Sequence, residues 1–338
     1  MREKVLCVAV ESHVKLVFSD DVLEKLKSRF EVTFNKLRRN YTSSEIAKEI
    51  AGYDALITGW GTPPLTEKVF VNADKLKIIV HSAGSVKYML SKDVVKKYII
   101  PRRICVCNAP QAIAYNVAET TIGLLIMAGH RFVDHIMNVK GGGWKNPKIP
   151  RHVKTLNGSI IGIVGASRVG REVIRLLKPY DAKILVYDPY LTLSEAEELG
   201  VEKVDLEDLF RRSDFVSIHA PLTEETYHMI GEKHLRLLKE GAILVNTSRG
   251  KVIDQDALVR ECETGRIIAA LDVTDPEPLP ADSPLRKFPN VILTPHIAGN
   301  GTYGLYKIGE MTLKALEDFF SGRPVENRID FKVYDRLA

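Results

Sequence analysis

The chain has 338 residues, 45% of them apolar, which is more than one hydrophobic core usually serves and enough for two cores without disulfides or metals. Its 48 basic and 43 acidic residues leave a formal charge of +5 and alternate along the chain, so no basic stripe of the kind that binds nucleic acid is present. Cys7, Cys105, Cys107 and Cys262 lie in apolar runs without a second pair to form a zinc site, and read as buried reduced thiols.

Short β-branched runs alternate with amphipathic stretches from end to end, the pattern of an α/β protein with parallel sheets and helical crossovers. In chain order the pattern predicts strands at KVLCVAV, EVTFNK, DALITGW, LKIIVHS and ICVCNAP, which make one open sheet. Helices are expected between them at SDDVLEKLKSRF, opened by Ser19, and at TSSEIAKEIAG, opened by Thr42 or Ser43 and closed by Gly52. The stretch APQAIAYNVAETTIGLLIMAGHRF then carries apolar residues nearly all round a helix, which must be buried between domains or between subunits. No apolar run is read as long enough to cross a bilayer, and KVLCVAV is too short for a secretory leader, so the expected address is the cytoplasm and no membrane partner is expected. After the loop GGGWKNPKIP a second series of strands is predicted at SIIGIVG, KILVYD, FVSIHA, AILVNTS, IIAALDV and VILTPH. Its helices include LSEAEELG, with Ser194 and Glu197 as a capping box, and DALVRECETG, ending at Gly265.

In GIVGASRVG a strand ends at Gly165 and a helix begins near Gly170, the turn of a dinucleotide-binding unit with Ser167 in place of the middle glycine. Serine is the mildest replacement there, because its hydroxyl can reach a phosphate and the helix amino terminus still offers amides. The next strand ends in Asp188, at the distance where an acid accepts from the adenine ribose hydroxyls and repels a 2′-phosphate, which favours NAD over NADP. Every later strand also ends in polar residues at the edge where parallel sheets bind ligands: His219, Ser248 and Arg249, Asp272, and His296. His228 and His234 lack the spacing of a metal site and are read as helix-surface residues, and no metal is expected.

Taken in order, DALITGWGTPPLT, GIVGASRVG, HAPLTEET, NTSRGKVID, DVTDPEPLP and TPHIAG resemble the D-isomer-specific 2-hydroxyacid dehydrogenase family over almost the whole length. The resemblance implies two doubly wound parallel-sheet domains. A flavodoxin-like substrate domain would comprise residues 1–108 and 300–338, and a Rossmann NAD-binding domain residues 109–299. It implies that Arg249 binds the substrate carboxylate and carbonyl, and that His296 is the acid/base, paired with Glu277. Cofactor contacts would fall on Gly165, Ser167, Arg168, Val169, Gly170, Asp188, His219, Pro221, Thr226, Thr247, Ser248, Asp272, Ala298 and Gly299. Backbone amides of Ala83, Gly84 and Ser85 would hold the substrate carboxylate. Trp60 is a further candidate for the substrate site, with a core or interdomain tryptophan as its other reading.

The implied activity is NAD-dependent, reversible hydride transfer between NADH and a small 2-oxo acid, in a homodimer formed through the NAD-binding domain. These residue types suit it: a planar guanidinium orients a carboxylate and a carbonyl together, and an imidazole braced by a carboxylate supplies the proton. The same family fold also serves as an NAD(H)-sensing corepressor-like binding protein, which is the alternative. Formate dehydrogenase chemistry uses glutamine where this chain has Glu277. The chain departs from the family at Ser167 and at Lys87, Tyr88 and Met89, where most members carry an Asp-containing run.

Overall fold

The structure, a computed structural model, describes residues 2–149 and 153–336. Pro150, the last residue of the loop GGGWKNPKIP, lies outside the described residues. The chain divides into two compact units, Met1–Ile113 with Asn300–Ala338, and Ala114–Gly299.

The first unit is built on β1 (Lys4–Cys7), β2 (Glu31–Phe34), β3 (Ala55–Thr58), β4 (Ile78–His81) and β5 (Cys105–Asn108), all parallel, in the order β2-β1-β3-β4-β5. Their runs are nearly continuous in apolar residues because helices cover both faces of the sheet. One face packs Val5, Ile57, Ile78 and Val80 against Leu305, Ile308 and Leu316 of the helix Thr302–Phe320. The other packs Leu6, Leu56 and Ile79 with Ile46, Ile50 and Phe70.

The second unit contains β6 (Ile160–Val164), β7 (Lys183–Tyr187), β8 (Glu202–Lys203), β9 (Phe215–Ile218), β10 (Ile243–Asn246), β11 (Ile268–Leu271) and β12 (Val291–Leu293). All are parallel, in the order β12-β11-β10-β9-β6-β7-β8, so the winding reverses between β6 and β9. Such a switch point opens a crevice at the carboxyl ends of the strands.

Ser19 caps its helix by accepting from the Val22 amide, and Thr42 rather than Ser43 opens the next, in a reciprocal box with Glu45. Four features differ from the sequence reading. Strand β8 is only two residues long, too short to carry a periodic signal. The helix Leu193–Leu199 is capped by Thr192 with Glu195, two residues before the expected Ser194 and Glu197; both pairs satisfy the same four-residue pattern. The helix Pro110–Gly129 is, by length and composition, long and apolar enough to cross a bilayer, contrary to the sequence reading. More than half of it is buried, with Ala118, Leu124, Leu125 and Ala128 in the second unit's core. His228 is not on a helix: it sits in a turn with φ 49°, its ring stacked on Tyr227 and 3.9 Å from the Asp275 carboxylate. All four cysteines are buried and unpaired by disulfides.

Three buried histidines link this packing to pH. Burial pushes the pKa of His13 down to about 4, and those of His81 and His219 down to about 3. The unfolded chain takes up these protons near pH 6.5, whereas the fold refuses them, so stability is complete above that pH and declines as pH falls toward 4. Calorimetric melting between pH 7 and pH 5 should therefore show a falling Tm; a flat Tm over that window would count against neutral buried rings.

Candidate active site

The nucleotide side of the second unit is set by two steric facts. Gly165 has φ 97°, and a Cβ there would lie 2.8 Å from the Ala220 amide nitrogen; a Cβ on Gly170 would lie 2.1 Å from the Gly165 carbonyl. Both positions therefore need glycine. Ser167 does not: with φ −64° it is the N-cap of the helix Arg168–Leu177, and its Oγ accepts from the Gly170 amide at 3.3 Å. The middle position of the fingerprint is thus an ordinary capping site, and the amides of Arg168 and Val169 remain outside the helix ladder.

Asp188 follows β7, and its two carboxylate oxygens accept from the Ala166 and Tyr190 amides at 2.8 Å each. These bonds fix the carboxylate beside the glycine turn and leave each oxygen a lone pair. His219 follows β9, but its ring is 4% exposed and hydrogen-bonded to Ser217, so only its backbone faces the strand edge. Thr226 donates to the Pro221 carbonyl at 2.6 Å and closes that loop on itself. Thr247 is buried against Thr121 at 2.9 Å, and Ser248 donates to the Asn246 amide oxygen. Asn116 and Thr120 donate to the carbonyls of Gly299 and Ala298, tying the segment after His296 to the helix Pro110–Gly129.

The remaining polar strand ends follow the adjacent strands β10, β11 and β12. Arg249 follows β10; partial enclosure lowers its proton affinity, while the neighbouring Glu277 carboxylate raises it. Gly250 lets this loop approach the next, since a Cβ there would lie 2.0 Å from the Thr274 carbonyl. Gln255 accepts from the Asp275 amide at 2.6 Å and so anchors the segment leading to Glu277. Nothing in the sequence singled out Gln255, because a helix-start glutamine has no periodic or motif signal.

His296 follows β12 with its Nδ1 2.5 Å from Glu277 Oε1. An ionised carboxylate only accepts, so Nδ1 carries a proton and Nε2 is the nitrogen left for exchange. The His296 backbone lies in the left-handed region, φ 54°, which a histidine holds only under constraint. The constraint is Asp272, 2% exposed. Its backbone carbonyl accepts from the His296 amide, its Oδ1 from the Thr294 hydroxyl and the Ile297 amide, and its Oδ2 from the Ala298 amide. Asp272, expected among the cofactor contacts, thus clamps the loop that presents His296.

In the first unit, Ala83, Gly84 and Ser85 form the turn after β4. Ala83 accepts from the Ala109 amide, and Gly84 from the Asn108 side chain. Trp60 follows β3 and is 37% exposed, so it is not a core tryptophan. Within the divergent run Met89 is fully buried, whereas Tyr88 is half-exposed and donates to the Gly59 carbonyl.

Residues 122–298 match the NAD-binding domain of the D-isomer specific 2-hydroxyacid dehydrogenases. The chain is also 38% identical, over 314 residues, to a glyoxylate reductase of Korarchaeum cryptofilum, covering 92% of this chain and 93% of that one. The chain belongs to the D-isomer-specific 2-hydroxyacid dehydrogenases. A D-3-phosphoglycerate dehydrogenase of Methanocaldococcus jannaschii is 33% identical over 94% of this chain and 59% of its own length. The crystal structure of a phosphoglycerate oxidoreductase from Rhizobium etli superposes with a TM-score of 0.81 at 28% identity, covering 97% of this chain and 99% of that one.

This dehydrogenase uses NAD, and its residues fit the cofactor: two glycines that a Cβ would block, a helix amino terminus of ten residues behind them, and a fixed carboxylate after the next strand. Replacing Asp188 by serine is expected to raise the NADPH-to-NADH ratio of kcat/KM roughly tenfold, because the repulsion of a 2′-phosphate is lost. An unchanged ratio would remove Asp188 from the ribose site.

Proposed function

We propose that this dehydrogenase reduces a small 2-oxo acid to the D-2-hydroxy acid and runs the reverse reaction, with His296 as acid/base, Glu277 as its partner and Arg249 as the substrate-orienting cation. The observation that carries the reading is the 2.5 Å bond between His296 Nδ1 and Glu277, with the Arg249 guanidinium near enough to feel the same carboxylate's charge. Bound NADH supplies the hydride. The chain's own residues do the rest. Arg249 holds the substrate carboxylate and the carbonyl oxygen as negative charge builds on it, His296 Nε2 gives that oxygen its proton, and Glu277 keeps the ring oriented and stabilises the imidazolium. Backbone amides of Gly84 and Ser85 orient the carboxylate, the Ala83 amide being engaged with the His81 carbonyl at 2.7 Å, and Trp60 lines the substrate site.

The relatives named as glyoxylate reductases support a small substrate, so glyoxylate heads the panel. The protein works in the cytoplasm as a homodimer. The helix Phe132–Lys140 supports the dimer: it buries no residue of its own and exposes Phe132, Ile136 and Met137 beside the exposed Trp144. Sedimentation equilibrium tests this directly, a monomer at micromolar concentration being the contrary result.

The deciding experiment follows NADH oxidation with glyoxylate, hydroxypyruvate, a phosphorylated 2-oxo acid and longer 2-oxo acids, with NADPH in parallel. Turnover of any of them with NADH supports the reading. No turnover, with partner-protein binding that depends on NADH, would favour the corepressor-like alternative.

A further inference from the structure

Beneath the turn Ala83–Ser85 lies a buried polar network that the reaction chemistry does not use. Thr58 and His81 are paired in register at the ends of β3 and β4, and Ser82 follows. Thr58, His81 and Ser82 are fully buried, and His13, from the helix Glu11–Val17, is 4% exposed. Ser82 Oγ lies 2.6 Å from the Thr58 carbonyl, 2.9 Å from His13 Nε2, and Thr58 Oγ1 lies 2.8 Å from His81 Nδ1.

Donor counting fixes the proton positions. A serine hydroxyl has one proton, and Ser82 donates it to the Thr58 carbonyl. Its oxygen must then accept from His13, so His13 carries its proton on Nε2 and leaves Nδ1 as a buried acceptor without a partner among the described residues. Both rings are neutral at neutral pH, since burial holds their pKa values at about 4 and about 3. Each ring also braces an aromatic side chain near the turn. The His13 ring stands 5.1 Å from Trp60, edge-on, and lies so close to Gly59 that a Cβ there would meet it at 2.5 Å; the His81 ring stands 6.0 Å from Tyr88.

We infer that His13, acting through Ser82, is a positioning residue that holds the turn Ala83–Ser85 and the Trp60 loop in the geometry that binds the substrate carboxylate. The inference rests on the proposed role of that turn. His13 touches neither substrate nor cofactor in this scheme: its Nε2 proton fixes Ser82, the residue from which the turn departs. A hydrophobic ring of similar bulk would fill the space and leave Ser82 without its donor.

The test compares wild type with His13→Leu, Ser82→Ala and His13→Gln, whose amide nitrogen can occupy the place of Nε2. The first two should raise KM for the 2-oxo acid about five- to tenfold, the worth of one buried hydrogen bond, with kcat and NADH affinity within about twofold of wild type. His13→Gln should restore KM to within about twofold. An unchanged KM in folded His13→Leu and Ser82→Ala, a glutamine variant no better than leucine, or an equal loss of NADH affinity would each overturn the inference. If wild type turns over no 2-oxo acid, the functional reading fails by itself. The variants are then compared by oxamate affinity in the presence of NADH, and equal affinities, or no oxamate binding to wild type, overturn the inference too.

Discussion

Replacing His296 by alanine is expected to lower kcat by about 10²- to 10⁴-fold, the usual worth of a positioned general acid. Its side chain is 48% exposed and its one side-chain partner among the described residues is Glu277, so the change removes a proton donor without opening the core. The folded state and NADH affinity should be retained, as followed by circular dichroism and by fluorescence titration. Glu277→Gln is the companion variant. It keeps the shape but offers no anionic acceptor to Nδ1, so kcat should fall by a smaller factor. Turnover of His296→Ala within about threefold of wild type would remove the residue from the chemistry.

The second large effect is expected at Asp272, which never touches the substrate in this scheme. Asp272→Ala removes three side-chain hydrogen bonds, from Thr294, Ile297 and Ala298, in a site only 2% exposed. Charge-assisted bonds of this kind contribute about 1.5–3 kcal/mol apiece, and their loss also frees His296 from its left-handed conformation. Stability should fall by roughly 3 kcal/mol or more, read from urea unfolding. In the fraction that remains folded kcat should fall about 10²-fold, because a displacement of about 1 Å in a reacting group has that consequence. Thr294→Val removes only the hydroxyl and should show the same directions with smaller amplitudes. If Asp272→Ala weakens NADH binding while leaving kcat at saturating cofactor intact, the clamp is not what sets the position of His296.

Several features were legible because one residue type in one place has one common physical use. The parallel strands announced themselves as continuous apolar runs, and the helix starts at Ser19 and at Thr42 as capping residues before an amphipathic stretch. The ambiguous cases failed where two solutions satisfy the same local rule, as with Thr192 and Ser194, or where too few residues were present to be periodic, as in β8. His228 was misread because a polar stretch between a strand and a helix looks the same whether it coils or turns, and its positive φ has no mark in the residue type.

The order of amino acids alone determined the two parallel-sheet series, the identity of the polar residues at their carboxyl ends, and the family, because side-chain periodicity and motif order are properties of neighbours along the chain. Only the tertiary structure decided that Ser167 is a cap, that Asp272 holds the His296 loop from a neighbouring strand, and that His13 reaches Ser82 across 69 positions. Those bonds join residues distant along the chain, and their existence depends on strand order and register, which no local pattern encodes.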